Sequence, residues 1–340
     1  MIPAFFGLKG LRLSAEEKDF FNSVQPAGYI LFARNIETPE QIRALTSELK
    51  ELSGSSHLPI LIDQEGGRVT RLRPPHWTAH PPSEVYGQIF AKNEAKAKQA
   101  VFLTGKIIAA ELLNLGVNVD CLPVLDIPIS DADPIIGDRA YALNAKDVSV
   151  IGRWAAQSLL DHGVIPVIKH IPGHGRALVD SHLSLPIVDT SLEELRQSDF
   201  IPFEVLNDMP MAMTAHVVYS ALDQNHCATL SKTVIQNIIR KEIGFGGLLM
   251  SDDLSMKALK GAFGDRALHA LNAGCDIILH CNGDMAEMQA VASALPLIDQ
   301  DRSLRLQKAM QSATSPQEFD QMDIAAFVAE REELLRQIKD

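Results

Sequence analysis

Eight short runs of apolar, largely β-branched residues recur along the chain: Ile2–Leu8, Gly28–Phe32, Pro59–Asp63, Val117–Cys121, Val164–Lys169, Met209–Thr214, Gly247–Ser251 and Asp276–His280. Between them, apolar positions repeat with helical spacing, as in Pro39–Leu52, Asn93–Leu115, Lys146–His162, Ser231–Ile243 and Asp265–Ala273. Continuous apolar strands separated by amphipathic helices imply a parallel sheet covered by helices. A doubly wound open sheet gives the same alternation, but eight units favour a closed (β/α)₈ barrel of the TIM type. The expectation is an α/β fold, with residues 1–340 forming one catalytic barrel domain and extra C-terminal helices. From Pro296 onward the pattern predicts two or three helices, broken at Pro316-Gln317-Glu318-Phe319 and ending in a solvated helix face over Glu330–Lys339. No low-complexity tract, linker or second domain is expected.

Composition narrows the class. Hydrophobic residues make up 46% and charged residues 22% of the 340, as in an ordinary globular protein. The net charge of −12 leaves no basic excess to neutralise phosphates, so neither nucleic acid nor an anionic membrane is an expected partner. The start, Met1-Ile2-Pro3-Ala4-Phe5-Phe6, has no basic residue ahead of a long apolar run, and no stretch is long enough to span a bilayer. Cys121, Cys227, Cys275 and Cys281 show neither CxxC spacing nor a disulfide framework. A monomeric, cytoplasmic enzyme with buried, reduced thiols is expected.

In a barrel, chemistry gathers at the C-terminal ends of the strands. Polar clusters do follow the apolar runs: Asp63-Gln64-Glu65-Gly66-Gly67-Arg68-Val69-Thr70-Arg71 after the third, Lys169-His170-Ile171-Pro172-Gly173-His174-Gly175 after the fifth, Thr214-Ala215-His216 after the sixth and Ser251-Asp252-Asp253 after the seventh. Asp at such a junction can simply cap the next helix, a role that suits Asp253 better than Asp252. Asp252, directly off the strand, would project into the barrel mouth, where a carboxylate can attack an anomeric carbon. Lys169 at the end of an apolar strand needs a partner or a ligand; an ion pair with Asp63 or Asp252 would serve. Asp180-Ser181-His182 lies in a long Gly-bearing loop. In an extended segment Asp180 would orient His182 as a general acid/base, although the spacing by itself favours a surface turn with an incidental histidine. Arg139 reads as a surface arginine or a site residue alike.

Taken jointly, these motifs, with Pro123-Val124-Leu125-Asp126, Ala215-His216-Val217 and Leu254-Ser255-Met256, resemble the family 3 glycoside hydrolases, and among them the bacterial β-N-acetylhexosaminidases of cell-wall recycling. The resemblance implies Asp252 as nucleophile, His182 held by Asp180 as acid/base, and Asp63, Arg71, Arg139, Lys169 and His170 as binders of the N-acetylglucosamine ring. It implies no cofactor and no metal. It further implies exo-acting removal of β-linked N-acetylglucosamine from muropeptide fragments bearing 1,6-anhydro-N-acetylmuramic acid, with a bearing on cell-wall biogenesis, cell division and cell shape. A histidine acid/base departs from the usual pair of carboxylates. Because it would not repel an incoming anion, phosphorolysis is one alternative; a catalytically silent sugar-binding barrel is another. A metal-dependent hydrolase on the same barrel lacks both an HxH pair after the first strand and an HExxH helix.

Overall fold

The computed structural model describes residues 1–130, 132–179, 185–257, 259–314 and 320–339. Eight parallel strands form its centre: β1 (Ile2–Gly7), β2 (Pro26–Leu31), β3 (Ile60–Ile62), β4 (Val119–Asp120), β5 (Ile165–Ile171), β6 (Met211–Thr214), β7 (Leu248–Met250) and β8 (Ile278–His280). Each of the eight apolar runs supplies one of them. The residues of all eight are buried, so the runs lack polar alternation for a physical reason: both faces of the sheet are covered.

Each strand pairs with the next in sequence, and β8 returns to β1 through Phe5 opposite Leu279. The seam between β7 and β8 closes through a bridge from Met250 to Ile277. There Ser251 N–H donates to the Ile277 carbonyl at 3.0 Å, and Ser251 Oγ accepts from Leu279 N–H at 2.9 Å. The sheet is therefore a closed (β/α)₈ barrel, and the open-sheet alternative falls.

The predicted helices appear at Pro39–Ser53, Glu94–Leu113, Ala145–Asp161 and Phe263–Ala273. Thr38, Asn93 and Asn144 cap three of them, each side chain accepting a backbone N–H of the first turn. The segment expected as a helix over Ser231–Ile243 is wound as a π-helix over Val234–Glu242, and it still buries Val234, Ile235, Ile238 and Ile239. Sequence periodicity missed a two-stranded parallel pair, Ile187–Val188 with Val218–Tyr219. Two tail helices, Gln300–Met310 and Gln321–Lys339, match the expectation; the break expected at Pro316–Phe319 falls outside the described residues. The last helix is not merely a solvated face. Arg331 and Leu334 are buried within the segment expected to be exposed, because that helix packs on Glu94–Leu113.

Candidate active site

Inside the C-terminal mouth of the barrel lies a cavity of about 240 Å³. Its walls carry Asp63, Glu65, Arg68, Arg71, Arg139, Lys169, His170, His174, Asp252 and Asp253, with Ile30, Phe32, Val69, Ile135, Ile136, Met213, Met256, Leu279 and Cys281 as its apolar part. Residues from seven of the eight strands, or from the loops that follow them, meet here; β1 contributes none.

The charged groups form a defined cluster. Lys169 Nζ, 2% exposed, lies 2.9 Å from Asp63 Oδ1 and 2.6 Å from Glu65 Oε1. Arg71 pairs with the other Asp63 oxygen at 3.0 Å. Arg139 donates to both oxygens of Glu65, at 2.8 and 2.9 Å. Three cations thus face two carboxylates around the cavity wall. Burial alone would raise the Asp63 carboxyl, but Lys169 and then Arg71 outweigh it and hold it far below the carboxylate range. Glu65 behaves alike: burial opposes, Arg139 and Lys169 prevail, and it falls to about 2. In return, Asp63 and Glu65 overcome the burial of Lys169 and hold its ammonium above the ordinary value. This cluster presents fixed donors without an unpaired buried charge.

A second unit centres on Asp126. Its Oδ2 accepts from His170 Nδ1 at 2.7 Å, while Oδ1 takes the backbone N–H of His170 at 3.2 Å and of His174 at 2.6 Å. Burial pushes this carboxyl up, but His170 and His174 prevail and it drops to about 2. The bond at Nδ1 orients the His170 ring in the cavity. His174 is lowered to about 4, by burial first and His170 second.

Asp252 stands two residues beyond β7. Its backbone N–H donates to Thr214 Oγ1 at 3.3 Å, and its Oδ1 accepts from Asp253 N–H at 2.8 Å. Thr214 and Thr229 hydroxyls lie 2.8 Å apart, Thr229 Oγ1 lies 2.7 Å from His216 Nδ1, and His216 Nε2 lies 3.0 Å from the Asp253 carbonyl. The carbonyl can only accept, so Nε2 carries a proton and donates to it. Thr229 Oγ1 also donates to the Ala215 carbonyl at 3.1 Å, so a chain of hydrogen bonds links Asp252 N–H through Thr214 and Thr229 to His216 and back to Asp253. This buried relay fixes the backbone on both sides of the Asp252 side chain. Asp253 has a different task. Its carboxylate accepts from Ser255 N–H, Ser255 Oγ and Cys281 N–H, so it holds the turn after β7. It is not a helix cap, since the next helix begins at Phe263.

The cavity therefore brings together six of the expected site residues: Asp252, Asp63, Arg71, Arg139, Lys169 and His170. Arg139 is a wall residue, 8% exposed, and not a surface arginine. The expected dyad, Asp180 and His182, lies outside the described residues. Sequence reasoning gave no role to Glu65 or Asp126, although both stand in the motifs after the third and fourth apolar runs. The available signal was spacing: Glu65 follows Asp63 by two residues off a buried strand, where a second acid needs a cation. Phe32 was also missed; Arg34 and Arg71 lie 4.9 and 5.3 Å from its ring centroid. Among the described residues, no group of three His, Cys, Asp or Glu side chains is placed to hold a metal ion.

Residues 4–311 match the sequence profile of the glycosyl hydrolase family 3 N-terminal domain. The chain belongs to glycosyl hydrolase family 3. It is 39% identical over 308 residues to the beta-hexosaminidase of Alkalilimnicola ehrlichii, covering 89% of this chain and 87% of that protein. It is 38% identical over 285 residues to that of Neisseria gonorrhoeae, covering 82% and 78%. Native NagZ from Neisseria gonorrhoeae superposes with a TM-score of 0.86 at 33% identity, covering 98% of this chain and 97% of that one. The same protein in complex with N-trifluoroacetyl-D-glucosamine gives a TM-score of 0.86 at 33% identity, covering 99% and 98%. This member of family 3 is accordingly an enzyme, a glycoside hydrolase.

Proposed function

We propose that this glycoside hydrolase is a retaining, exo-acting β-N-acetylglucosaminidase. The observation that carries the reading is the position of Asp252 in one cavity with Asp63, Arg71, Arg139, Lys169 and His170. In this reading those five residues bind the N-acetylglucosamine ring. Asp252 attacks the anomeric carbon while His182, oriented by Asp180, protonates the departing oxygen. His182 then deprotonates water, which releases the sugar from Asp252 with net retention. The preferred substrate is a muropeptide fragment such as N-acetylglucosaminyl-1,6-anhydro-N-acetylmuramic acid, with or without its peptide. The setting is cell-wall recycling by a monomer in the cytoplasm. Four free, buried thiols suit a reducing compartment, and no helix among the described residues is long and apolar enough to cross a membrane.

The test is turnover of a nitrophenyl N-acetylglucosaminide beside the anhydro-disaccharide. Asp252→Ala should be nearly inactive on both. His182→Ala should lose about 10²–10⁴-fold on the disaccharide and far less on the activated glycoside, which needs little proton transfer to leave. Near-normal turnover by Asp252→Ala would remove the nucleophile assignment. Equal losses on both substrates for His182→Ala would remove the acid.

A further inference from the structure

Arg331, on the helix Gln321–Lys339, is fully buried and far in sequence from the active-site cavity. Its guanidinium Nη1 donates to His80 Nδ1 at 2.9 Å, and its Nη2 donates to the Ala79 carbonyl at 2.9 Å. Nη2 also meets the half-exposed Glu332 Oε1 at 2.8 Å. A guanidinium has no acceptor, so His80 Nδ1 must accept and its proton sits on Nε2. That nitrogen faces Glu111 Oε2 at 3.3 Å, on the helix Glu94–Leu113, and Glu111 Oε1 accepts Thr78 N–H at 2.8 Å. Arg331, His80 and Glu111 thus lock the segment from Thr78 to His80 between two helices.

That segment is the back wall of the loop carrying Glu65. The His80 carbonyl accepts Gly67 N–H at 2.9 Å. A Cβ on Gly66 would stand 2.3 Å from the Pro81 carbonyl oxygen, and one on Gly67 2.7 Å from Pro82 Cβ. Glu65 and Gly66 N–H both donate to the Val69 carbonyl, at 3.0 and 3.2 Å, so the loop is tight and cannot shift without carrying Glu65. Glu65 in turn bonds Lys169 and Arg139 on the cavity wall.

We propose that Arg331 is a positioning residue for the sugar-binding wall, acting through His80 and the Gly66–Gly67 turn on Glu65, and through it on Lys169 and Arg139. The inference rests on the assignment of that wall to sugar binding. A substitution at Arg331 should therefore weaken ground-state binding more than the chemical step.

The experiment compares Arg331→Met with Leu334→Ala in the full chain. Leu334 is buried on the same helix but packs on apolar neighbours. Both variants should lower the melting temperature. Only Arg331→Met should raise KM for the nitrophenyl glycoside, roughly tenfold and with kcat little changed, the size of one displaced charge-assisted hydrogen bond. Arg331→Lys, which keeps the charge and a single donor nitrogen but not the guanidinium fork, should recover part of it. Hydrogen exchange at the Gly67 amide gives a readout free of turnover, and it should quicken in Arg331→Met alone. Unchanged KM and exchange in Arg331→Met would overturn the proposal, as would equal changes in Leu334→Ala. A wild-type enzyme silent on the glycoside, with the exchange difference intact, would refute the activity while supporting Arg331 as the anchor of this turn.

Discussion

Asp63, Glu65 and Asp120 lie close together, yet their environments drive them in opposite directions. Asp120 is fully buried on β4; its Oδ1 accepts Gln64 N–H at 2.9 Å, and its Oδ2 has no hydrogen-bond partner among the described residues. Lys169 and the arginines bond to Asp63 and Glu65 instead. Burial, reinforced by those two carboxylates, therefore pushes the Asp120 carboxyl well above the usual range, against the pull of Gln64 and Lys169. A carboxyl raised in the folded state contributes stability fully below its unfolded value, about 3.9. That contribution is lost as pH rises through the folded value. Asp120→Asn keeps a neutral amide at all pH. It should be more stable than the wild type at pH 7, with the gap closing near pH 3. Urea unfolding at the two pH values measures this; a less stable Asp120→Asn at pH 7 would contradict it.

At the level of elements, the turn after β3 does the most to shape the cavity. Gly66 and Gly67 have φ of +101° and +56°, where a side chain is strained, and both back onto the Pro81–Pro82 segment. Gly66→Ala meets two obstacles, the backbone angle and the Pro81 carbonyl. It should cost well over 1 kcal/mol in denaturant unfolding. It should also raise KM, because Glu65 precedes it directly. Stability loss with unchanged KM would mean that Glu65 keeps its place independently of this turn. The turn after β7 is anchored differently. There hydroxyls and His216 hold the Asp252 backbone, so no special backbone angle is required.

For the molecule as a whole, acid should act through the cavity. Asp63, Glu65 and Asp126 all have folded values below their unfolded ones, the latter two at about 2. Such groups contribute stability above the unfolded value near 4, and that contribution is lost as pH falls through the folded value. The wild type should therefore lose stability steeply between pH 4 and pH 2. Glu65→Gln leaves Arg139 and Lys169 short of an anion, so it should be destabilised by about 3–5 kcal/mol at pH 7. Its deficit should shrink as pH falls toward 2. Unfolding curves across this range provide the check, and a deficit independent of pH would contradict the ionised Glu65–Arg139 pair.

The sequence by itself determined the strands, most helices and the polar strand ends that line the cavity. A parallel strand buried on both faces must be apolar throughout, and a helix against it must be apolar on one side; both are local patterns. Asp252, Lys169 and Asp63 were legible because a polar residue directly after such a strand stands out. Partnership was not legible. Glu65 with Arg139, Asp126 with His170 and Arg331 with His80 span 74, 44 and 251 positions, and each buried charge is tolerable only with its partner in place. For the same reason Arg331 reads as solvated from a charged helix, and Arg139 as ambiguous. Only closure of the barrel at Ser251 brings Asp252 opposite residues nearly two hundred positions earlier. Which ions pair, and which carboxyl is driven upward like Asp120, follows from burial and distance in three dimensions, and no local pattern encodes them.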